Sequence, residues 1–346
     1  MPGLSAPATV SKPKARKPAK GRKTRSPRSA PPKESAQLDA FREIERLSFT
    51  GHQTFAFRYA WLAKGVHGVK EDRELFFQKD ALVTLGVGKN MVDSIRFWCE
   101  ALSLIEVDGR SRSVEILPLG ELLFGARRNS KGVDPYLEDP ATLWLLHWQL
   151  ASRPELASTW YLAFTRWSRT EFTRDELVRW IWQTASEGAS ARSSEASIKR
   201  DVEVFLRTYI PAAVDRRRPV EDSFDCPLSE LGLMSEIERN FYQFNLGPKP
   251  SLPIDVLTFA ILEFWRKSAP EQRTLNIERL LFDPGSPGAA FKLGDKALIP
   301  LLEKIPEEDG LRYDETAGLR VLIRTDRADL DPIAPFTILK RYYTTG

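Results

Sequence analysis

Residues 78–117, QKDALVTLGVGKNMVDSIRFWCEALSLIEVDGRSRSVEIL, decide how this chain folds. Gln78–Leu85 suits a short helix, and Gly86-Val87-Gly88 suits a tight turn. A second helix fits Lys89–Leu104, because Val92, Ile95, Cys99 and Leu102 recur at helical spacing and form one apolar stripe. Glu106–Val107 and Val114–Leu117 then flank the polar turn Asp108–Ser113, which predicts a hairpin. Another helix fits Leu119–Phe124. Helix, turn, helix and basic hairpin in this order predict a winged helix.

Working outward, Phe57, Trp61 and Lys64 fall three and four residues apart, which predicts a helix that Gly65 is placed to end. Downstream, Asp139–Trp167 is Trp-rich and helical, with Trp144, Leu145 and Trp148 as core. Thr173 and Glu176 have the spacing of a capping box at a helix start. Ser186–Ser194 reads as a loop. Glu195–Tyr209 is a helix, with Ile198, Val202, Phe205 and Tyr209 on one face. After the Pro-rich linker Gly247–Pro253, helices fit Ile254–Lys267, Asn276–Phe282 and Phe291–Ile305. Leu311–Tyr313 and Leu319–Arg324 form a second hairpin. The expected class is mainly α with small β-hairpin wings, in multiple winged-helix-like units. The expected organisation is a disordered basic tail at 1–39 and an N-terminal winged-helix domain at 40–135. A helical part with a second winged-helix-like unit follows at 136–246, then a C-terminal winged-helix-like domain at 247–346.

Charge and cysteine content narrow the function. The net charge of +4 is unevenly spread: residues 1–40 hold ten Lys or Arg against two acids, and the rest is mildly acidic. The overall pI therefore reflects the tail rather than a basic fold. Such a tail has the composition of an electrostatic arm for nucleic acid, or of a solubilising extension. Two cysteines, Cys99 and Cys226, are too few for a disulfide framework, and with three scattered histidines they do not make a zinc site. No apolar run is long enough to span a bilayer and no export signal is visible, so a cytoplasmic location without a membrane partner is expected.

Several residue groups can carry binding. Gly86-Val87-Gly88-Lys89-Asn90 resembles a phosphate loop only superficially: Val83 occupies the first glycine position, Asn90 replaces Ser or Thr, and the preceding segment is helical. It places Lys89 and Asn90 at a helix amino end, where free N–H groups and the helix dipole favour a phosphate. Arg96 on that helix, with Arg110 and Arg112 in the hairpin turn, are further candidate DNA contacts. Asp93, Glu100 and an exposed Phe97 on the same helix weigh against groove reading. His52, Arg58 and Lys64, set among Phe49, Phe55, Phe57 and Trp61, are a candidate shared anion or DNA-backbone site. Lys199 and Arg200 form a basic pair on a later helix. The acidic groups Asp134, Glu138, Asp139 and Glu221, Asp222, Asp225 lack the Lys spacing common in metal-dependent nucleases and read as solvated loops. No catalytic residue or metal ligand is assigned.

The run His52-Gln53-Thr54-Phe55 with Arg58, Trp61, Leu62, Lys64 and Gly65, followed by Leu85–Val92 with Ser94, Ile95, Arg96 and Trp98, resembles the bacterial family known as domain of unknown function 4007. Leu117, Leu119-Gly120, Leu123-Phe124, Lys199-Arg200-Asp201-Val202 and Asp225-Cys226-Pro227-Leu228 with Leu231 extend the resemblance over roughly residues 45–342. Gln53 stands where the family more often has Glu. The resemblance implies a DNA-binding component of a bacterial DNA phosphorothioation-linked antiphage system. It implies partners beyond DNA: a cysteine desulfurase, an adenylylsulfate-reductase-like enzyme and an ATPase. One branch of the family is a nicking component of single-stranded phosphorothioation, which would call for Mg²⁺ or Mn²⁺. The alternatives are a non-catalytic winged-helix adaptor or scaffold for the sulfur-transfer enzymes, or a transcriptional regulator.

Overall fold

The apolar stripe of Lys89–Leu104 finds its partner in an earlier helix, two helices upstream. In the computed structural model, α1 (Tyr59–Glu71) buries Trp61, Leu62, Gly65, Val66 and Val69. The short α2 (Ala81–Leu85) leads through the glycine turn into α3 (Lys89–Ala101), which buries Val92, Ile95, Trp98 and Cys99. Gly65 does not end α1. It lies where α1 meets α3, and a Cβ there would stand 2.5 Å from Cys99 Sγ and 2.9 Å from Ile95 Cγ2. The glycine serves close helix approach rather than termination. Strands β1 (Ile105–Asp108) and β2 (Ser113–Ile116) pair antiparallel, with Ile105 opposite Ile116 and Val107 opposite Val114. Helix α4 (Pro118–Phe124) closes this part.

The described residues are Gly3, 47–125, 131–187, 193–211, 226–316, 318–325, 328, 330–332 and 334–345. The expected tail, apart from Gly3, and the acidic group Glu221, Asp222 and Asp225 lie outside them. Residues 42–346 belong to one compact unit.

Helix α5 (Pro140–Ala151) is the hub of this unit. Every residue from Ala141 to Ala151 is buried, as expected of a helix that is apolar on all sides. Its few polar groups reach distant elements. His147 Nδ1 pairs with the Tyr209 hydroxyl at 2.8 Å, and Nε2 with the Ala290 carbonyl at 2.8 Å. Trp148 Nε1 donates to Glu263 at 2.7 Å. Burial holds the His147 imidazole neutral by pushing its pKa down to about 3. Short α6 (Ser158–Tyr161) continues into one π-helical turn, Leu162–Arg166.

Two later segments repeat one topology. Strand β3 (Glu171–Thr173) precedes α7 (Arg174–Glu187) and α8 (Glu195–Tyr209). It then pairs with the second strand of the hairpin β4 (Met234–Glu238) and β5 (Phe241–Phe244), giving the order β3-β5-β4. The capping box is formed: Thr173 N–H donates to Glu176 Oε2 at 2.8 Å, and Glu176 N–H to Thr173 Oγ1 at 3.3 Å. In the last part, α9 (Ile254–Ser268) leads to β6 (Thr274–Asn276). Helices α10 (Ile277–Phe282), α11 (Pro287–Ala290) and α12 (Asp295–Leu302) intervene. The hairpin β7 (Leu311–Thr316) and β8 (Leu319–Arg324) then gives the order β6-β8-β7. Helix α13 (Pro335–Thr345) packs back on α9. Helices with small antiparallel sheets make up the fold; the sequence pattern showed the β7–β8 hairpin but not β6, and none of the strands β3, β4 and β5.

Candidate nucleic-acid interface

The loop before α1 is built under backbone strain. Thr50, Gln53 and Thr54 have φ of 72°, 49° and 66°, which L residues adopt reluctantly. A buried His–Asp pair holds them. His52 is 1% exposed, and its Nε2 lies 2.6 Å from Asp201 Oδ1 on α8. Thr54 N–H donates to His52 Nδ1 at 3.1 Å, so the ring proton sits on Nε2 and points at the carboxylate. Thr50 N–H donates to the same Asp201 oxygen at 2.7 Å. Phe97 and Trp160 meet the His52 ring edge-on, and Trp98 stacks with it. Phe97 is therefore not exposed: it is half-buried against His52 and Gly51.

This loop delivers Phe55 and Arg58 to a cleft of about 1270 Å³. The Arg58 guanidinium lies over the Trp61 ring, 5.5 Å from its centroid. One turn later on α1, Lys64 Nζ donates to the Leu85 carbonyl at 3.1 Å, which ties α1 to the end of α2. Gly86 adopts φ +63° there and ends α2 in the left-handed conformation. Gly88 is the N-cap of α3, with no side-chain cap and no acid in the first turn. The first N–H groups of α3 thus open outward beside the exposed Lys89 and Asn90. Arg58, Lys64, Lys89 and Asn90 all line the one cleft, with Phe55, Val87 and Met91 supplying apolar surface.

The remaining candidates lie elsewhere. His52 faces Asp201 and does not line the cleft. Arg96 is half-buried and acts on Glu100, whose pKa burial raises and Arg96 lowers. Arg110 is exposed in the β1–β2 turn. Arg112 folds back, donating to the Phe77 carbonyl at 2.9 Å. Lys199 and Arg200 are exposed on the first turns of α8, outside the cleft. Asp134 is no solvated loop acid: it is buried, and its carboxylate accepts the N–H groups of Glu138 and Asp139 at 2.9 and 3.0 Å. Asp139 caps α5. Among the described residues, no three His, Cys, Asp or Glu side chains converge as a metal site. Cys99 and Cys226 are both buried and form no disulfide. Sequence reasoning gave Asp201 no role, although its position beside Val202 and three residues after Ile198 puts a carboxylate on the buried side of α8.

No curated protein matches the chain. A magnesium ion-bound SspB crystal structure is similar, with TM-score 0.76 and 32% identity over 88% of this chain and 90% of that one. A second SspB crystal structure is similar at TM-score 0.75, with the same identity and coverage. Residues 49–343 match the model of a family described as a protein of unknown function, DUF4007. That span takes in the strained loop, the cleft and all the sheets, and the chain belongs to the DUF4007 family.

Proposed function

We propose that this chain is a DNA-binding component of a bacterial phosphorothioation-linked antiphage defence system. Its helix–hairpin units are read as winged helices, and its cleft between α1 and the α2–α3 turn as a grip on the DNA backbone. The observation that carries this reading is that Arg58, Lys64, Lys89 and Asn90 line one cleft together with the uncapped amino end of α3. Three cations and a helix dipole of the same sign favour a polyanion, and Arg58 adds a planar fork for phosphate oxygens. Arg110 on the first hairpin and Lys199 and Arg200 on α8 are proposed as outlying phosphate contacts. His52 contributes by holding the loop that carries Arg58. DNA and the other proteins of the system, including sulfur-transfer enzymes, are the proposed partners. No helix among the described residues is long and apolar enough to cross a membrane.

The solved SspB neighbour is named for its magnesium ion. Among the described residues of the present chain, no three His, Cys, Asp or Glu side chains gather to hold an ion. The test is equilibrium binding of labelled DNA over a salt series. Lys89→Ala is expected to weaken binding similarly for all sequences and to lower the salt slope by about 1. Its stability should change by less than about 0.5 kcal/mol, since Lys89 is exposed. Arg58→Lys is expected to weaken binding although charge is kept. Wild-type affinity in both folded variants would remove the cleft from the interface. A supercoiled-plasmid assay with Mg²⁺ or Mn²⁺ tests nicking separately.

A further inference from the structure

The cleft offers more than a phosphate grip requires. Phosphate contacts need donors at a surface, whereas this cleft has about 1270 Å³ of space. That exceeds the usual 300–1,000 Å³ of small-molecule pockets. Part of its lining is apolar or aromatic: Phe55, Tyr59, Leu82, Val87 and Met91. Leu82 is 42% exposed, although it stands beside the cationic groups. A duplex backbone shows only sugar and charged oxygens, and such an apolar lining gains little from it. An unstacked base fits it better, because each base has a π-face and carries its phosphate a fixed distance away. The Arg58 guanidinium, already stacked on Trp61, supplies a planar cation of the kind on which bases stack.

We infer that the cleft takes an unpaired nucleotide of DNA, with its base against Phe55, Val87, Met91 and the Arg58 plane and its phosphate at Lys89 and the start of α3. This rests on the DNA-binding reading above and deepens it: the ligand is single-stranded or locally opened DNA rather than intact duplex.

The experiment compares three labelled probes on the full chain by fluorescence anisotropy at one salt concentration. They are a short oligothymidylate, a strand of the same phosphate count with abasic spacers, and a duplex of the same length. The oligothymidylate is expected to bind about tenfold more tightly than the spacer strand, the scale of one stacked base. Phe55→Leu, which keeps an apolar side chain but loses the aromatic face, is expected to shrink that ratio at least threefold while spacer-strand affinity holds. Met91→Ser serves as a second variant, and thermal melting verifies that both fold. Equal affinity for oligothymidylate and spacer strands in the wild-type chain would overturn the nucleotide site and leave backbone binding standing. Failure of the folded chain to bind any of the three probes would overturn the DNA-binding reading itself. The comparison of probes on the wild-type chain depends on no variant.

Discussion

A single carboxylate oxygen, Oδ1 of Asp201, takes both the His52 Nε2 proton and the Thr50 N–H, from a loop 149 and 151 residues earlier in the chain. Backbone strain at positive φ costs on the order of 1–3 kcal/mol per residue and survives only when the surroundings over-determine it. Asp201 provides much of that determination, helped by Arg207, which donates to the Thr54 carbonyl at 2.9 Å. Removing the carboxylate takes the acceptor from the buried His52 ring N–H and from the half-buried Thr50 N–H. Asp201→Ala is therefore expected to lower unfolding free energy by about 3 kcal/mol, read from urea denaturation. His52→Ala should also destabilise, and the double variant should lose less than the sum, because both act on one contact. An unchanged urea midpoint in Asp201→Ala would show that the loop is held by other means. The expected shared site of His52, Arg58 and Lys64 thus divides by geometry: Arg58 and Lys64 face the cleft, and His52 secures the loop from inside.

Among elements, the α1–α3 contact is set by one missing side chain. At Gly65 an added methyl would stand 2.5 Å from Cys99 Sγ and 2.9 Å from Ile95 Cγ2, and both of those residues are fully buried. Gly65→Ala is expected to destabilise by about 2 kcal/mol, in the range of overpacked cores, and to lower the melting temperature. A neutral result would mean that the helices separate freely at this point. The same glycine marks the limit of what sequence shows. A glycine after a helical stretch looks alike whether it ends the helix or admits a neighbour, and only the partner helix distinguishes the two. Helix α8 was legible from Glu195 to Tyr209 because Ile198, Val202, Phe205 and Tyr209 keep one face; the Ser194 cap emerges from the structure. The hairpin at Leu311–Arg324 was legible from its polar turn. Strands β3 and β6 were not, since three residues are too few to display an alternation of period two. In the candidate site, Lys89 and Asn90 were legible from the glycine turn before them. Their union with Arg58 and Lys64 follows from how α1 and α3 pack, and the pairing of His52 with Asp201 from a contact across half the chain.

At the scale of the whole molecule, charge is divided between a cationic first segment and an acidic remainder. Residues 1–39 carry ten Lys or Arg and two acids, and everything after them sums to −4. An acidic body repels DNA at long range, while its cleft concentrates Arg58, Lys64 and Lys89 in one place. Beyond the cleft and the outlying Arg110, Lys199 and Arg200, the first segment is the expected source of further phosphate neutralisation. Each phosphate neutralised on single- or double-stranded DNA adds about 0.7–0.9 to the slope of log affinity against log salt. Deleting residues 1–39, which lie outside the compact unit beginning at Arg42, should leave the melting temperature unchanged. The deletion is expected to flatten the salt slope by about 2 or more, with weaker binding at low salt and little difference at high salt, where counterion release no longer helps. Combining it with Lys89→Ala should remove about one further unit, because the two groups neutralise different phosphates and their effects add. A slope unaffected by the deletion would assign every phosphate contact to the folded body and reduce the first segment to a solubilising role.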